Sequence, residues 1–205
     1  MSDVVLCSGG LDSTIVAWYE KVYQKKDIML AFVNYGQYNH AEEYDAAWDV
    51  SRILQVPLCV INAQSIYRGV ESQILQGADD YTVEGSELPG RNLTLLTLAA
   101  TNVKEATIYI GIHKTAADYR DCTPTFVSKA DDLLSYMTAG KVHVEAPFKD
   151  MSKLEMVEEA FKNGFSPALW DASMSCYNGD NCGKCPACKQ RQMIVNAIDK
   201  KLFLI

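Results

Sequence analysis

Residues 8–13, Ser-Gly-Gly-Leu-Asp-Ser, have the composition of a phosphate-binding loop. They follow a short apolar run of strand type and precede a helical pattern. Two adjacent glycines allow a sharp turn and a close backbone approach to a ligand, and free N–H groups at a helix start attract anions. Asp12 and Ser13 are expected to cap that helix. Two interpretations stay open on this chemistry, a phosphate cradle and an ordinary tight turn, since the Walker A and dinucleotide fingerprints are both absent.

Four cysteines within 13 residues could hold a metal ion. They are Cys176, Cys182, Cys185 and Cys188. Two consecutive Cys-x-x-Cys steps and one preceding cysteine place four thiolates within reach of a tetrahedral ion, which predicts a closed, structural Zn²⁺ site. An iron–sulfur cluster and a redox dithiol are the competing interpretations. Pro186 suits the first turn of a C-terminal helix, and the strand-type surroundings of Cys7 and Cys59 indicate buried apolar groups.

The elements that must position these groups alternate between strand and helix. Strands are predicted at 4–7, 28–34, 57–62, 107–112 and 142–146. Helices are predicted to begin at Asp12 and Ser13 and at Pro186, and to run over 40–54, 92–104, 124–139 and 152–163. This order predicts an α/β fold whose mainly parallel five-stranded sheet carries helices on both faces. Ligands then bind beyond the carboxyl ends of the strands, where the opening loop lies.

Two local expectations complete this outline. The first helix is expected to bury one face, formed by Ile15, Trp18, Tyr19 and Val22. The polar stretch 63–89 breaks the alternation and is expected to contain a short helix near 70–75. An ordered substrate lid and a plain mobile surface loop are equally compatible with that stretch.

Length and charge limit the function classes. The 205 residues suit one sizeable domain with a small appendage, which we divide into an α/β domain at 1–165 and a cysteine-bearing segment at 166–205. A net charge of −7 argues against a broad nucleic-acid surface. No apolar stretch approaches the roughly 20 residues that span a bilayer. With no export signal recognised, we expect a cytoplasmic protein with reduced thiols and no membrane partner.

The opening loop resembles the SGGxDS loop of the PP-loop ATP pyrophosphatases. In that superfamily the loop grips the β- and γ-phosphates, ATP is cleaved between the α- and β-phosphates, and AMP is left on a carbonyl oxygen. The resemblance implies that ATP binds at Cys7, Ser8, Gly9, Gly10, Leu11, Asp12, Ser13 and Thr14. It also assigns Asp12 to positioning Mg²⁺, an ion that prefers oxygen ligands and bridges phosphates.

The loop and the cysteine cluster together resemble the 7-cyano-7-deazaguanine synthase family, known as QueC. Further matching motifs are Tyr35-Gly36-Gln37 with Glu42, Pro89-Gly90-Arg91-Asn92, Tyr119 with Asp121 and Cys122, and Arg191 after the last cysteine. The resemblance implies that ATP adenylates 7-carboxy-7-deazaguanine and ammonia displaces AMP to give an amide. A second ATP then activates the amide, and loss of AMP leaves the nitrile. It also implies a homodimer.

The resemblance assigns roles to individual residues. Asp12, Ser13 and Arg91 are the expected catalytic residues, with Arg91 neutralising phosphate charge or holding the substrate carboxylate. Substrate contacts are expected at Tyr35, Gln37, Arg91, Asn92, Tyr119 and Asp121. Asn92 is at least expected to cap a helix, and the Asp121 carboxylate suits the paired N–H donors of a deazaguanine. Lys149 and Lys153 are candidates for phosphate contacts, although exposed lysines usually have no specific role.

Two segments depart from the family pattern. Tyr38-Asn39 stands where the family has Arg-His, so Asn39 cannot transfer a proton and His40 is the nearest substitute. Segment 113–123 is shorter than usual and carries Lys114, Arg120 and Thr123 at altered positions. These departures leave open a ligase that stops at the amide or joins the acyl group to a protein amine. Two further functions stay open, a tRNA sulfur-transfer enzyme and a non-catalytic binding module.

Overall fold

The computed structural model describes residues 2–116 and 119–198. Ala117 and Asp118 of the divergent segment lie outside the described residues, as do 199–205 of the expected cysteine-bearing segment. The five strands are β1 Asp3–Leu6, β2 Ile28–Asn34, β3 Leu58–Asn62, β4 Ala106–Tyr109 and β5 Val142–Glu145. All neighbouring strands pair in parallel, in the order β3-β2-β1-β4-β5. The predicted five-stranded parallel sheet is therefore confirmed.

Helices lie between most of the strands and after the last one. They are α1 Leu11–Trp18, α2 His40–Leu54, α3 Gln73–Gln76, α4 Arg91–Ala100, α5 Pro124–Met137, α6 Lys153–Lys162, α7 Pro167–Ala172 and α8 Pro186–Ile198. The helix over 40–54 matches its predicted bounds, and α6 has the capping box that Ser152 and Glu155 form. The short helix predicted near 70–75 instead begins at Gln73, after Ser72 as its N-cap.

Side chains that alternate along β1 show that the sheet is covered on both faces. Val5 packs into one apolar core, which α1, α2, α6, α7 and α8 complete. Val4 packs into a second core with α4 and α5. Because successive strand residues point to opposite faces, β1, β2, β3 and β4 contribute to both cores, whereas β5 contributes Val142 and Val144 to the second core.

The first helix begins earlier than predicted and ends differently. Its N-cap is Gly10, so the expectation that Asp12 and Ser13 cap it is wrong: both lie inside the first turn. After Trp18 the backbone widens into a π-helical turn at Tyr19–Tyr23. The wider turn rotates Val22 away from the core, and that side chain is 49% exposed, contrary to its expected burial.

The stretch between β3 and α4 forms a folded flap. The side chain of Gln73 links α3 to residues 80–82, since Gln73 Oε1 accepts from the Thr82 N–H at 2.9 Å and Gln73 Nε2 donates to the Asp80 carbonyl at 3.0 Å. Tyr81 is buried, and its hydroxyl donates to Asn178 Oδ1 at 2.6 Å. The flap is thereby tied to the cysteine-bearing segment.

Within the described parts of the chain, no helix combines the length and the apolar character needed to cross a membrane.

The loop after β1 packs so closely that it excludes a side chain at Gly9. Its φ is +74°, and a Cβ there would lie 2.6 Å from the Glu43 carbonyl oxygen and 2.8 Å from the Ala47 nitrogen. Gly140 has a similar φ of +77°, but a Cβ there would meet nothing within 4 Å.

We expect Gly9→Ala to lower the free energy of unfolding by about 3 kcal/mol, the sum of left-handed strain and overlap with α2. Gly140→Ala, the matched control, carries only the strain of about 1–2 kcal/mol. Urea unfolding of the two variants measures the difference. Equal losses would contradict the close packing of the loop on α2.

Candidate functional site

A cavity of about 500 Å³ opens at the carboxyl ends of β1 and β4. These are central strands, and the helices that follow them lie on opposite faces of the sheet. In open parallel sheets this switch point is where ligands bind. Residues from the loops after β1, β2 and β4, from α4 and α6, from the flap and from the cysteine-bearing segment all line the cavity.

Backbone contacts from two directions fix the opening loop. A Cβ at Gly111, after β4, would lie 3.0 Å from the Ser13 nitrogen, so the two loops touch through backbone. On the other side, the Met174 N–H donates to the Gly9 carbonyl at 2.8 Å. Ser8, Gly10, Leu11, Asp12 and Ser13 face the cavity. The N–H groups at the start of α1 are therefore presented to it, as a phosphate cradle requires.

Asp12 has two cationic or titratable partners. Lys153 Nζ lies 3.1 Å from each of its carboxylate oxygens, and His113 Nε2 lies 3.6 Å from Oδ2. Burial alone would raise the pKa of Asp12, but the charges and hydrogen bonds of Lys153 and His113 outweigh it and lower the pKa to about 2. Asp12 is therefore an anion throughout the neutral range.

Lys153 is a site residue and not the exposed lysine expected from the sequence. It is buried on α6, and Gln190 of α8 accepts a hydrogen bond from its Nζ at 3.0 Å. Its ammonium group thus reaches the opening loop while being held from two helices. Lys149 does not line the cavity.

Arg91 enters the cavity from the first turn of α4. It lies beside Tyr35, a buried residue after β2, where burial raises the pKa of the Tyr35 hydroxyl and the charge of Arg91 opposes that rise. A guanidinium here can bind a carboxylate or phosphate with two parallel hydrogen bonds. Asn92 and Tyr119 also face the cavity, so these expected substrate residues are brought together.

Asn92 and Asp121 hold each other, which differs from their expected roles. The N-cap of α4 is Gly90, so the expectation that Asn92 caps the helix is wrong. Its backbone N–H donates to Asp121 Oδ2 at 3.1 Å, and its Nδ2 donates to the Asp121 carbonyl at 2.8 Å. Asp121 does not line the cavity and braces the start of α4.

The loop after β2 and the start of α2 place a second carboxylate in the cavity wall. Glu43 accepts a hydrogen bond from Gln37 Nε2 at 2.9 Å and a longer one from Asn39 Nδ2 at 3.3 Å. Burial raises its pKa to about 7 against the effects of these donors and of Arg91. His40, expected as a substitute for Asn39, is exposed and does not line the cavity.

Sequence reasoning missed Glu43 and His113, and it considered Lys153 only as one of two exposed lysines that could contact phosphate. Glu43 and Lys153 had a detectable signal, since each stands on the buried face of an amphipathic helix. Glu43 precedes the buried Ala46 and Val50 by helical spacing, and Lys153 precedes Met156 in the same way. A charged residue at such a position needs a partner or a function.

The four cysteines of the cluster converge on one point. Their sulfur atoms all lie within 4.8 Å of one another, and tetrahedral ligands at ~2.3 Å from an ion lie about 3.8 Å apart. Backbone N–H groups of Lys184 and Cys185 donate to the Cys182 sulfur and lower the pKa of its thiol to about 7. The cluster can therefore hold a metal ion such as zinc.

The cluster is connected to the cavity through its backbone. The Cys176 carbonyl accepts from Asn39 Nδ2 at 2.9 Å, and Arg191 donates to the Ser173 carbonyl at 3.0 Å while stacking on Trp170. These contacts position Met174 against the opening loop.

We expect the purified protein to contain about one zinc ion per chain, and Cys185→Ser to lose it because a tetrahedral site cannot close on three thiolates. Cys59→Ser makes the same change outside the cluster and is the control. Elemental analysis measures both. Zinc retained at the wild-type level in Cys185→Ser would contradict the assignment.

A family model described as "Queuosine biosynthesis protein QueC" matches residues 2–198. Among curated proteins, the 7-cyano-7-deazaguanine synthase of Pseudoalteromonas translucida is 31% identical, with 92% of this chain and 90% of that protein covered. The synthase of Marinobacter nauticus is 32% identical (93% and 90% covered) and that of Aquifex aeolicus 30% (95% and 96% covered).

A solved structure also shares the fold. It is the U34-tRNA thiolase NcsA from Methanococcus maripaludis with its 4Fe-4S cluster, with a TM-score of 0.51 and 17% identity over all of this chain and 73% of that one. At this identity the likeness concerns the fold alone.

Proposed function

The chain belongs to the QueC family, and from this premise we propose that it converts 7-carboxy-7-deazaguanine, ammonia and ATP to 7-cyano-7-deazaguanine with release of AMP. The enzyme is of the ATP-dependent ligase type. The observation that carries the proposal is the shared cavity. It brings the N–H groups of the opening loop, the cations of Lys153 and Arg91, and the Asp12 carboxylate to one place.

The opening loop would hold the β- and γ-phosphates of ATP. Backbone N–H groups bind phosphate oxygens at a helix start, and Gly9 and Gly10 let the backbone approach them. Lys153 and Arg91 bring positive charge to the cavity, where negative charge would develop on the phosphates. Asp12 Oδ1 is buried and has no hydrogen-bond donor of good geometry among the described residues, so it can serve as an oxygen ligand for Mg²⁺.

Adenylation overcomes the poor reactivity of the substrate. A carboxylate is a poor electrophile because its leaving group would be oxide. A mixed anhydride with AMP has a good leaving group and can accept ammonia at its carbonyl carbon. Arg91, beside the Tyr35 hydroxyl, is placed to orient the carboxylate by a two-point contact.

The metal in this proposal is zinc, and its role is structural. Four thiolates close the coordination sphere, so no position is left for substrate. Zinc would fold the segment that presses Met174 on the opening loop and carries Gln190 to Lys153. We also propose a homodimer, for which only the family resemblance argues.

The segment at 113–123 is where the chain differs from the family pattern, and it contributes His113 and Tyr119 to the cavity. For this reason a ligase that stops at the amide, or passes the acyl group to a protein amine, is the second candidate.

Incubation with 7-carboxy-7-deazaguanine, ammonia and ATP should yield AMP, pyrophosphate and the nitrile. Mass spectrometry of the products distinguishes nitrile, amide and protein adduct. A persistent amide would favour the second candidate, and formation of ADP would contradict adenylation.

Asp12→Asn should lower turnover by at least about 100-fold, because Mg²⁺ would lose a carboxylate ligand and the Lys153 ammonium would lose its charged partner. Asp150→Asn, at an exposed aspartate outside the cavity, is the control and should retain wild-type turnover. AMP release and far-UV circular dichroism are measured for both. Wild-type rates in Asp12→Asn would remove this residue from the site.

A further inference from the structure

One carboxylate in the cavity wall takes no part in binding the phosphates of ATP. Glu43 lies in the first turn of α2 and faces the cavity that Asp12 and Arg91 share. Its backbone packs directly against the opening loop, since a Cβ at Gly9 would lie 2.6 Å from the Glu43 carbonyl oxygen. This residue is therefore close to the place where an acyl-adenylate would form.

Two amide donors fix the Glu43 side chain. Gln37 Nε2 donates to Oε2 at 2.9 Å, and Asn39 Nδ2 donates to Oε1 at 3.3 Å. Both donors are themselves anchored: Gln37 Oε1 accepts the Tyr35 N–H at 2.9 Å, and Asn39 binds the Cys176 carbonyl at 2.9 Å. A carboxylate offers about four acceptor positions, so two remain for a ligand in the cavity.

Charged and titratable groups surround Glu43 on several sides. Arg91 faces it from α4, Glu42 is its neighbour on α2, Cys7 lies at the end of β1 and Tyr35 follows β2. Burial raises the pKa of Glu43 to about 7, while the hydrogen bonds and the Arg91 charge oppose the rise. Near neutral pH the carboxyl group can both take up and release a proton, which suits proton transfer.

Other cavity groups are less suited to accept a proton. Asp12 is a weak base, with its pKa lowered to about 2 by its partners against the effect of burial. Burial raises the pKa of the Cys7 and Cys122 thiols to about 11 and that of Tyr177 to about 12, so these groups hold their protons. His113 lies 3.6 Å from Asp12 and is the competing candidate.

We propose that the Glu43 carboxylate accepts the proton that the attacking amine loses at the acyl-adenylate, an assignment that rests on the proposed function. The amine nitrogen forms a bond to the carbonyl carbon and becomes positively charged. Its proton moves to a Glu43 oxygen. The bond between the carbonyl carbon and the AMP oxygen then breaks, and AMP leaves with the electron pair.

The Glu43→Gln variant separates activation from amine attack. Glutamine keeps the size of the side chain and avoids a buried charge, so the variant should fold. Adenylation, followed as carboxylate-dependent exchange of pyrophosphate into ATP, should stay within a few-fold of wild type. Amide formation from ammonia should fall by about 100-fold. Glu105→Gln, the same change at an exposed glutamate outside the cavity, is the control and should retain amide formation.

The pH profile supplies a readout that a structural role would not move. In the wild type, amide formation measured in single turnover at a constant concentration of uncharged ammonia should rise as the pH rises through about 7, because Glu43 must lose its proton to act as a base. Glu43→Gln should lack this step. Hydroxylamine, a weakly basic amine that is neutral at pH 7, should restore capture of the acyl-adenylate as a hydroxamate.

The outcomes are distinct. Wild-type amide formation in Glu43→Gln would overturn the assignment. If His113→Asn lost the pH step and Glu43→Gln kept it, the role would belong to His113 instead. Loss of exchange and amide formation together in Glu43→Gln would also overturn it, because Glu43 would then serve activation. Absence of carboxylate-dependent exchange in the wild type would instead contradict the proposed function.

Discussion

The ion pair between Asp12 and Lys153 is the interaction on which the site depends. It joins the first loop of the chain to α6 across 141 residues of sequence, at 3.1 Å. Lys153 is buried, and an ammonium group in such a position is costly without a partner. Gln190 of α8 gives it a further acceptor. The pair therefore fixes how α6 and α8 sit on the opening loop.

The cysteine-bearing segment also holds the opening loop in place. The Met174 N–H binds the Gly9 carbonyl, and Asn39 binds the Cys176 carbonyl. A closed metal site here stabilises one conformation of residues 173–185, which lie between α7 and α8 and form neither helix nor strand. In this account the metal acts on catalysis by positioning, since four thiolates leave it no contact with substrate.

Charge within the cavity is divided between two regions. Lys153 and Asp12 lie at the opening loop, where phosphate binds in the proposed mechanism, whereas Glu43 lies beyond Gly9 with Gln37 and Asn39 as donors. The depressed pKa of one carboxyl group and the raised pKa of the other follow from these partners and from burial. Such a separation lets one cavity bind a polyphosphate and also hold a base that is active near pH 7.

The sequence predicted the features that local patterns encode. The five strands and the helix at 40–54 follow from apolar periodicity. The close spacing of the four cysteines predicted that their sulfur atoms lie near one another. Lys153 was misjudged because its partner lies 141 residues away, and Glu43 was overlooked because its neighbour Glu42 matched a motif. The helical spacing of each residue relative to the buried apolar residues that follow it could have identified both, since both stand on buried helix faces.

Oxygen transfer from substrate to AMP tests the central claim most directly. 7-Carboxy-7-deazaguanine labelled with oxygen-18 in its carboxylate is incubated with ATP and ammonia, and the AMP is analysed by mass spectrometry. Activation as an acyl-adenylate requires the broken bond to leave a labelled oxygen on the AMP phosphate, so labelled AMP is the predicted result. Unlabelled AMP, or label in pyrophosphate, would contradict the account.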